Sequence, residues 1–181
     1  MILTENLTKR FGSNVAVDAL NLQIDPGTFF CFLGPNGAGK TTTIKMLTGL
    51  LHPAAGRAVL GGYDIQQEPV AAKRLLGYVP DQPFLYDKLT GREFMHFVAG
   101  LYQLPGGAWE KKRDELLEMF EIATVADQLI EDYSHGMRQK LCFAACFLHD
   151  PRIVIVDEPW VGLDPKNIRF VKDFLKQKTR E

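Results

Sequence analysis

The sequence predicts an α/β fold: a mainly parallel core sheet, an antiparallel β portion and a helical insertion subdomain. Three observations carry this. Residues 28–34, "TFFCFLG", and 153–159, "IVIVDEP", are apolar on both faces, as in strands buried inside a parallel sheet. Strand-like and helix-like segments alternate along the chain. Two extended segments, 2–7 and 15–24, precede the turn Asp25-Pro26-Gly27 and supply the antiparallel portion.

Each remaining element has a local reason. A helix is expected over 39–51, where "HPAAG" stops it. Residues 58–65 read as a short hairpin turning at Gly61-Gly62. "EPVAAKRLL" reads as a helix with proline in its first turn, and "GYVPD" as a short strand ending. Thr90-Gly91-Arg92-Glu93 matches a capping box, in which Thr90 caps and Glu93 reaches back; its helix runs to about 104, before Pro105-Gly106-Gly107. A second helix over 109–120 buries Leu116, Leu117 and Phe120. "YSHGMRQK" opens another, running to Leu148, and Asp150-Pro151 turns the chain into the second apolar strand. After "GLDP" a last amphipathic helix sets Ile168, Val171, Phe174 and Leu175 on one side. The 181 residues contain no repeat, low-complexity tract or linker, so a single domain is expected, with the helical insertion at about 88–150.

Composition narrows the function classes. Hydrophobic residues make up 46%, charged residues 24%, and the net charge is −1, with no basic tract, so nucleic acid is not the expected partner. No apolar run reaches the ~18 residues of a membrane span. The amino end is too polar for a signal peptide. A cytosolic protein is expected, reaching a membrane only through a partner. Three cysteines fit a reducing compartment. Cys142 and Cys146 share a helix face and read as small core hydrophobes, since two ligands do not make a zinc site and no C-x-x-C occurs.

"GPNGAGKT", Gly34 to Thr41, satisfies G-x-x-x-x-G-K-[ST] between a predicted strand and a predicted helix. In such a P-loop the glycines let backbone N–H groups close around phosphate oxygens, and the helix adds its positive dipole end. Lys40 supplies a cation for the terminal phosphates, and Thr41 a hydroxyl for Mg²⁺. The second apolar strand ends in Asp157 and Glu158, at the strand end where open α/β sheets bind ligands. Asp157 can bind Mg²⁺, and Glu158 can orient or deprotonate a water attacking the γ-phosphate. Ser134 is a good N-cap and Gly136 leaves backbone accessible, so this turn reads equally as an ordinary cap or as a lysine-free complement to a phosphate site.

In this order the motifs resemble those of an ATP-binding cassette (ABC) ATPase of a transporter, a P-loop NTPase, from the amino terminus nearly to the last residue. The resemblance implies that Phe11 stacks on adenine. It implies that Gly34, Asn36, Gly37, Ala38, Gly39, Lys40, Thr41 and Thr42 surround phosphate and Mg²⁺. Gln82 in "YVPDQP" matches the glutamine that senses Mg²⁺ and the attacking water and couples to the membrane partner. Asp157 matches the metal-site acid, Glu158 the catalytic base, and Asp164 in "VGLDP" the aspartate that crosses to a partner cassette, although an N-cap before Pro165 is its plainer reading. Ser134 and Gly136 match the signature residues facing ATP held by the other subunit, so two cassettes, identical or different, sandwich two nucleotides. "LTGRE" is similar to exporter cassettes. The resemblance implies an ATP-hydrolysing subunit, peripheral on the inner face of the cell membrane, powering a transmembrane permease.

Two departures from the family pattern stand out. The signature reads "YSHGM" where Leu-Ser-Gly-Gly-Gln is commonest, so His135 replaces a glycine and Met137 a glutamine. Family members also continue past the last helix to a strand and a switch histidine, whereas His52, His96, His135 and His149 all precede Asp164. The expectation is an uncovered apolar surface and weak hydrolysis unless a further segment exists. The rival reading is a truncated cassette that binds ATP or a partner without efficient turnover. A GTPase is disfavoured by the lack of N-K-x-D.

Overall fold

The computed structural model describes residues 1–158 and 164–179. The chain divides into two compact units: residues 1–76 with the segment from Arg169 onward, and residues 77–168.

The first unit is built on a four-stranded sheet of order β2-β1-β3-β4. Strands β1 (Ile2–Phe11) and β2 (Asn14–Ile24) pair antiparallel from Ile2 opposite Ile24 to Phe11 opposite Asn14, leaving a two-residue turn at 12–13. Strand β3 (Ala55–Leu60) pairs with the other edge of β1, and β4 (Tyr63–Asp64) folds back on β3 with Leu60 opposite Tyr63. The predicted turn at Gly61-Gly62 is therefore present. Helices α1 (Lys40–Leu47) and α2 (Pro69–Arg74) follow in the order expected, α2 with its proline in the first turn. Leu7, Met46, Leu47, Leu60 and Ile65 are fully or almost fully buried, and Val171, Phe174 and Leu175 are the buried residues of α6 (Pro165–Lys178). Ile168, expected on that apolar side, is only half-buried.

The second unit holds the hydrogen-bonded pair β5 (Leu76–Val79) and β6 (Ile153–Val156), with helices α3 (Gly91–Leu101), α4 (Ala108–Met119) and α5 (His135–Cys146). The α3 capping box forms as predicted: Thr90 Oγ1 accepts from the Glu93 amide, and the Glu93 carboxylate accepts from the Thr90 amide at 2.8 Å. Leu116, Leu117 and Phe120 are buried, with the Phe120 and Phe143 rings stacked at 5.9 Å between centroids. The α5 helix gains from an N-cap, Ser134, and ends at Cys146, two residues short of the expected Leu148.

One expected element is not found. Residues 28–35 form neither strand nor helix, so the predicted buried strand over 28–34 is corrected to an irregular segment. Phe29 and Phe30 are about half exposed and Leu33 is 89% exposed. A run apolar on both faces records what a strand would bury, whereas a strand exists only with ladder partners. Among the described residues the sheets are the antiparallel four-stranded sheet and the β5–β6 pair, so the mainly parallel core is seen only in part.

Candidate functional site

The P-loop residues lie in the first unit, between the irregular segment and α1. Gly37 and Gly39 both take left-handed backbone, with φ of 82° and 84°. At Gly39 the reason is tertiary: a Cβ there would stand 2.4 Å from the Ala16 carbonyl oxygen and 3.1 Å from Val17 Cγ2 of β2. Glycine thus brings the start of α1 against the β2 backbone while turning the chain into the helix. Gly34, Asn36, Gly37 and Ala38 are exposed, and Gly39, Lys40 and Thr42 half-buried. The Lys40 ammonium donates to the carbonyls of Gly34 and Pro35, each at 2.8 Å, holding its charge over the loop. Thr41, in the first turn of α1, is exposed. The loop has the features a phosphate group needs: glycine turns, a helix N-terminus and a local cation.

Phe11 ends β1 with half of its surface exposed. The Lys9 ammonium lies 5.2 Å from its ring centroid and donates to the His52 carbonyl at 2.7 Å. Residues two apart on a strand share a face, so the spacing in "KRF" is the local signal for this cation–π pair.

The other predicted residues lie in the second unit. Asp157 follows β6, is buried, and its amide donates to the Val79 carbonyl at 2.9 Å, beside the end of β5. Gln82 lies exposed three residues beyond Val79. Burial, and then the charges of Asp157 and Asp81, push the Tyr78 hydroxyl up to about 12. Glu158 is exposed and holds left-handed backbone, φ 45°, which costs a non-glycine residue about 1–2 kcal/mol. Asp164 caps α6: its carboxylate accepts from the Asn167 amide at 2.9 Å, and this bond is the leading cause of its lowered pKa. Pro159 to Leu163, which carry the rest of "DEPWVGLDP", lie outside the described residues.

Ser134 is exposed, and its Oγ accepts from the Met137 amide at 3.3 Å; His135 is exposed and Gly136 half-buried. The residue before them is anchored. Tyr133 is buried, and its hydroxyl donates to the Val125 carbonyl at 2.7 Å. A Cβ on Gly91 would stand 2.6 Å from that hydroxyl oxygen. The tyrosine in place of the usual leucine is thus matched to a glycine at the start of α3, a pairing 42 residues apart with no local signal in the sequence.

Of the cysteines, Cys146 is buried and Cys142 half-buried; burial pushes the Cys142 thiol up to about 12 and the Cys146 thiol higher still. Cys31 is exposed, in the irregular segment. Among the described residues no group of three or more His, Cys, Asp or Glu is arranged around a metal site, and no helix is long and apolar enough to cross a membrane.

Comparison with known proteins agrees with this assembly of motifs. The family model described as ABC transporter matches residues 17–161. The chain is 40% identical over 177 residues to the uncharacterized ABC transporter ATP-binding protein YhcH of Bacillus subtilis (strain 168), covering 98% of this chain and 57% of that protein. It is 37% identical over 177 residues to the linearmycin resistance ATP-binding protein LnrL of the same organism, again covering 98% and 57%. A solved structure of an ATP-binding subunit of an ABC transporter superposes with a TM-score of 0.92 at 30% identity, covering 99% of this chain and 75% of that one. The chain belongs to the ABC transporter family, as an ATP-binding cassette. It spans a little over half the length of these two curated relatives.

Proposed function

We propose that this chain is the ATP-binding and ATP-hydrolysing subunit of an exporter-like ABC transporter, powering a membrane permease through nucleotide-driven pairing of two cassettes. The observation that carries this is a division of labour. The P-loop has its own cation, Lys40, lying over its carbonyls. The Ser134 turn offers an exposed helix N-terminus whose first three residues, His135 to Met137, include no lysine or arginine. A phosphate held at the first would be completed by the second, supplied from a partner cassette, identical or different.

In this reading Phe11 stacks on the adenine with its free surface, and residues 34–42 hold the phosphates. Thr41 and Asp157 would hold Mg²⁺; a hydroxyl and one carboxylate suit an ion that keeps several waters and binds largely through phosphate oxygens. When bound, the ion neutralises charge on the transferring phosphate. Glu158 takes the proton of the attacking water, Gln82 positions that water, and Asp164 reaches the partner cassette. The permease would dock on the second unit, where Phe84, Tyr86 and Phe97 present exposed aromatic surface following Gln82, with Tyr86 and Phe97 edge to face at 5.2 Å. In this reading the chain works in the cytoplasm, on the inner face of the membrane, as one cassette domain with a mainly parallel core.

Sedimentation of the Glu158→Gln chain with and without ATP and Mg²⁺ tests the reading. The expected result is a shift from one chain to two, lost on Ser134→Arg. A chain that stays single at saturating ATP would overturn it. Pairing of the unsubstituted chain without phosphate release would instead support a cassette that binds without turnover.

A further inference from the structure

The signature turn is held from a residue outside the phosphate-facing pair. Arg138, the fourth residue of α5, has its side chain only 24% exposed and reaches three separate acceptors. Its Nη1 donates to Asp87 Oδ1 at 2.6 Å, its Nε to the Tyr133 carbonyl at 3.3 Å, and its Nη2 to the Glu131 carbonyl at 3.5 Å. Its backbone amide donates to the Ser134 carbonyl at 3.0 Å. One residue thus brackets Ser134, binding the carbonyl on each side of its amide-to-carbonyl span. The planar guanidinium supplies donors in a fixed fork, a geometry that a lysine ammonium cannot reproduce.

Asp87 lies five residues after Gln82 in the segment leading to α3. The same segment is tied to the approach to Ser134 by backbone bonds: Glu131 N to Asp87 O at 3.1 Å, Ile130 N to Leu89 O at 2.9 Å, and an antiparallel bridge between Thr90 and Leu129. Arg138 closes over this small ladder with the one charged contact between Asp87 and α5 that the described side chains make. An exposed ion pair alone would contribute little. Here the guanidinium is mostly covered and also satisfies two carbonyls, so its loss frees three acceptors together.

We propose that Arg138 is a positioning residue that locks the Ser134 turn to the segment following Gln82, so that displacement of that segment shifts the serine turn. The consequence for cassette pairing rests on the function proposed above; the mechanical coupling does not. Neither residue is placed in contact with nucleotide.

Amide exchange of the full chain, without nucleotide, tests the coupling. In Asp87→Ala, exchange at Met137 and Arg138 is expected to rise about tenfold, the scale of one charge-assisted hydrogen bond. In Arg138→Met, exchange at Ile130 and Glu131 is expected to rise on the same scale, with the four-stranded sheet unchanged. Arg138→Lys keeps the charge but not the fork and is expected to protect no better than Arg138→Met. If Asp87→Ala leaves Met137 and Arg138 protected, or Arg138→Lys restores full protection, the proposal fails. Sedimentation with ATP adds the functional arm: Arg138→Met weakens pairing about tenfold while changing single-chain binding of a fluorescent ATP analogue less than about twofold. Equal pairing by variant and parent overturns the functional consequence. A parent chain that never pairs sinks the cassette reading, and the exchange arm still decides the lock.

Discussion

Gly37 and Gly39 offer a matched pair for testing the P-loop geometry. Both have φ near +83°, so alanine at either meets the same backbone strain, about 1–2 kcal/mol. Their surroundings differ. A Cβ on Gly37 meets nothing within 4 Å, whereas a Cβ on Gly39 stands 2.4 Å from the Ala16 carbonyl oxygen, a backbone atom of β2 that cannot rotate away. Relieving that clash requires the strand or the start of α1 to move by most of an ångström, an overpacking cost of about 1–3 kcal/mol. Gly37→Ala should therefore cost about 1–2 kcal/mol, and Gly39→Ala about 2–5 kcal/mol. For a chain of this size the gap between the two variants is roughly 2–12 °C in melting temperature. Thermal unfolding followed by far-UV circular dichroism reads the difference. Titration with a fluorescent ATP analogue should show the larger loss of affinity in Gly39→Ala. Equal melting temperatures for the two variants would refute the claim that β2 dictates glycine at position 39.

Three further outcomes follow from the second unit and the cysteines. At pH 8 a thiol reagent such as Ellman's should label one cysteine per native chain rapidly, Cys31, with Cys142 and Cys146 reacting only after unfolding, because burial holds their thiols protonated; three fast thiols would contradict the packing of α5. Gly91→Ala should destabilise through the Tyr133 hydroxyl, so combining it with Tyr133→Phe should cost less than the sum of the two single changes by about 1 kcal/mol, and strict additivity in urea melts would count against the contact. Glu121 accepts from Lys166 at 2.8 Å and from Lys140 at 3.4 Å, and these bonds, Lys166 first, hold its carboxyl below the ordinary 4.5. A lowered folded pKa gives stability present above the unfolded value and lost as pH falls through the folded one; the melting advantage of the parent chain over Glu121→Gln should be present at pH 7 and shrink below about pH 4.5, and a difference independent of pH would reject the ion-pair assignment.

Local chemistry made much of this molecule legible. The Thr90–Glu93 capping box, the Gly61-Gly62 hairpin, the proline-led α2 and the Ser134 cap each depend on residues within four positions of one another, and each is found where the sequence placed it. The Leu116, Leu117 and Phe120 face was readable for the same reason, since helical period alone assigns it. What escaped depends on partners distant in sequence. The 28–34 run carries the composition of a buried strand, yet composition does not provide a neighbouring ladder. The Tyr133–Gly91 match, the Arg138–Asp87 pair and the Glu121 bridge between Lys140 and Lys166 join segments 19 to 51 residues apart, and no periodicity records them. Asp164 is the instructive intermediate: its cap on Asn167 was available from "DPKN" alone, whereas a reach to a second chain is a matter for experiment.

Calorimetric titration of the 181-residue chain with ATP and Mg²⁺ tests the central claim most directly. The account predicts one nucleotide per chain, with affinity reduced at least about tenfold in Lys40→Ala, the cost of removing one charged phosphate contact. No binding by a folded chain, or binding unchanged by Lys40→Ala, would contradict it.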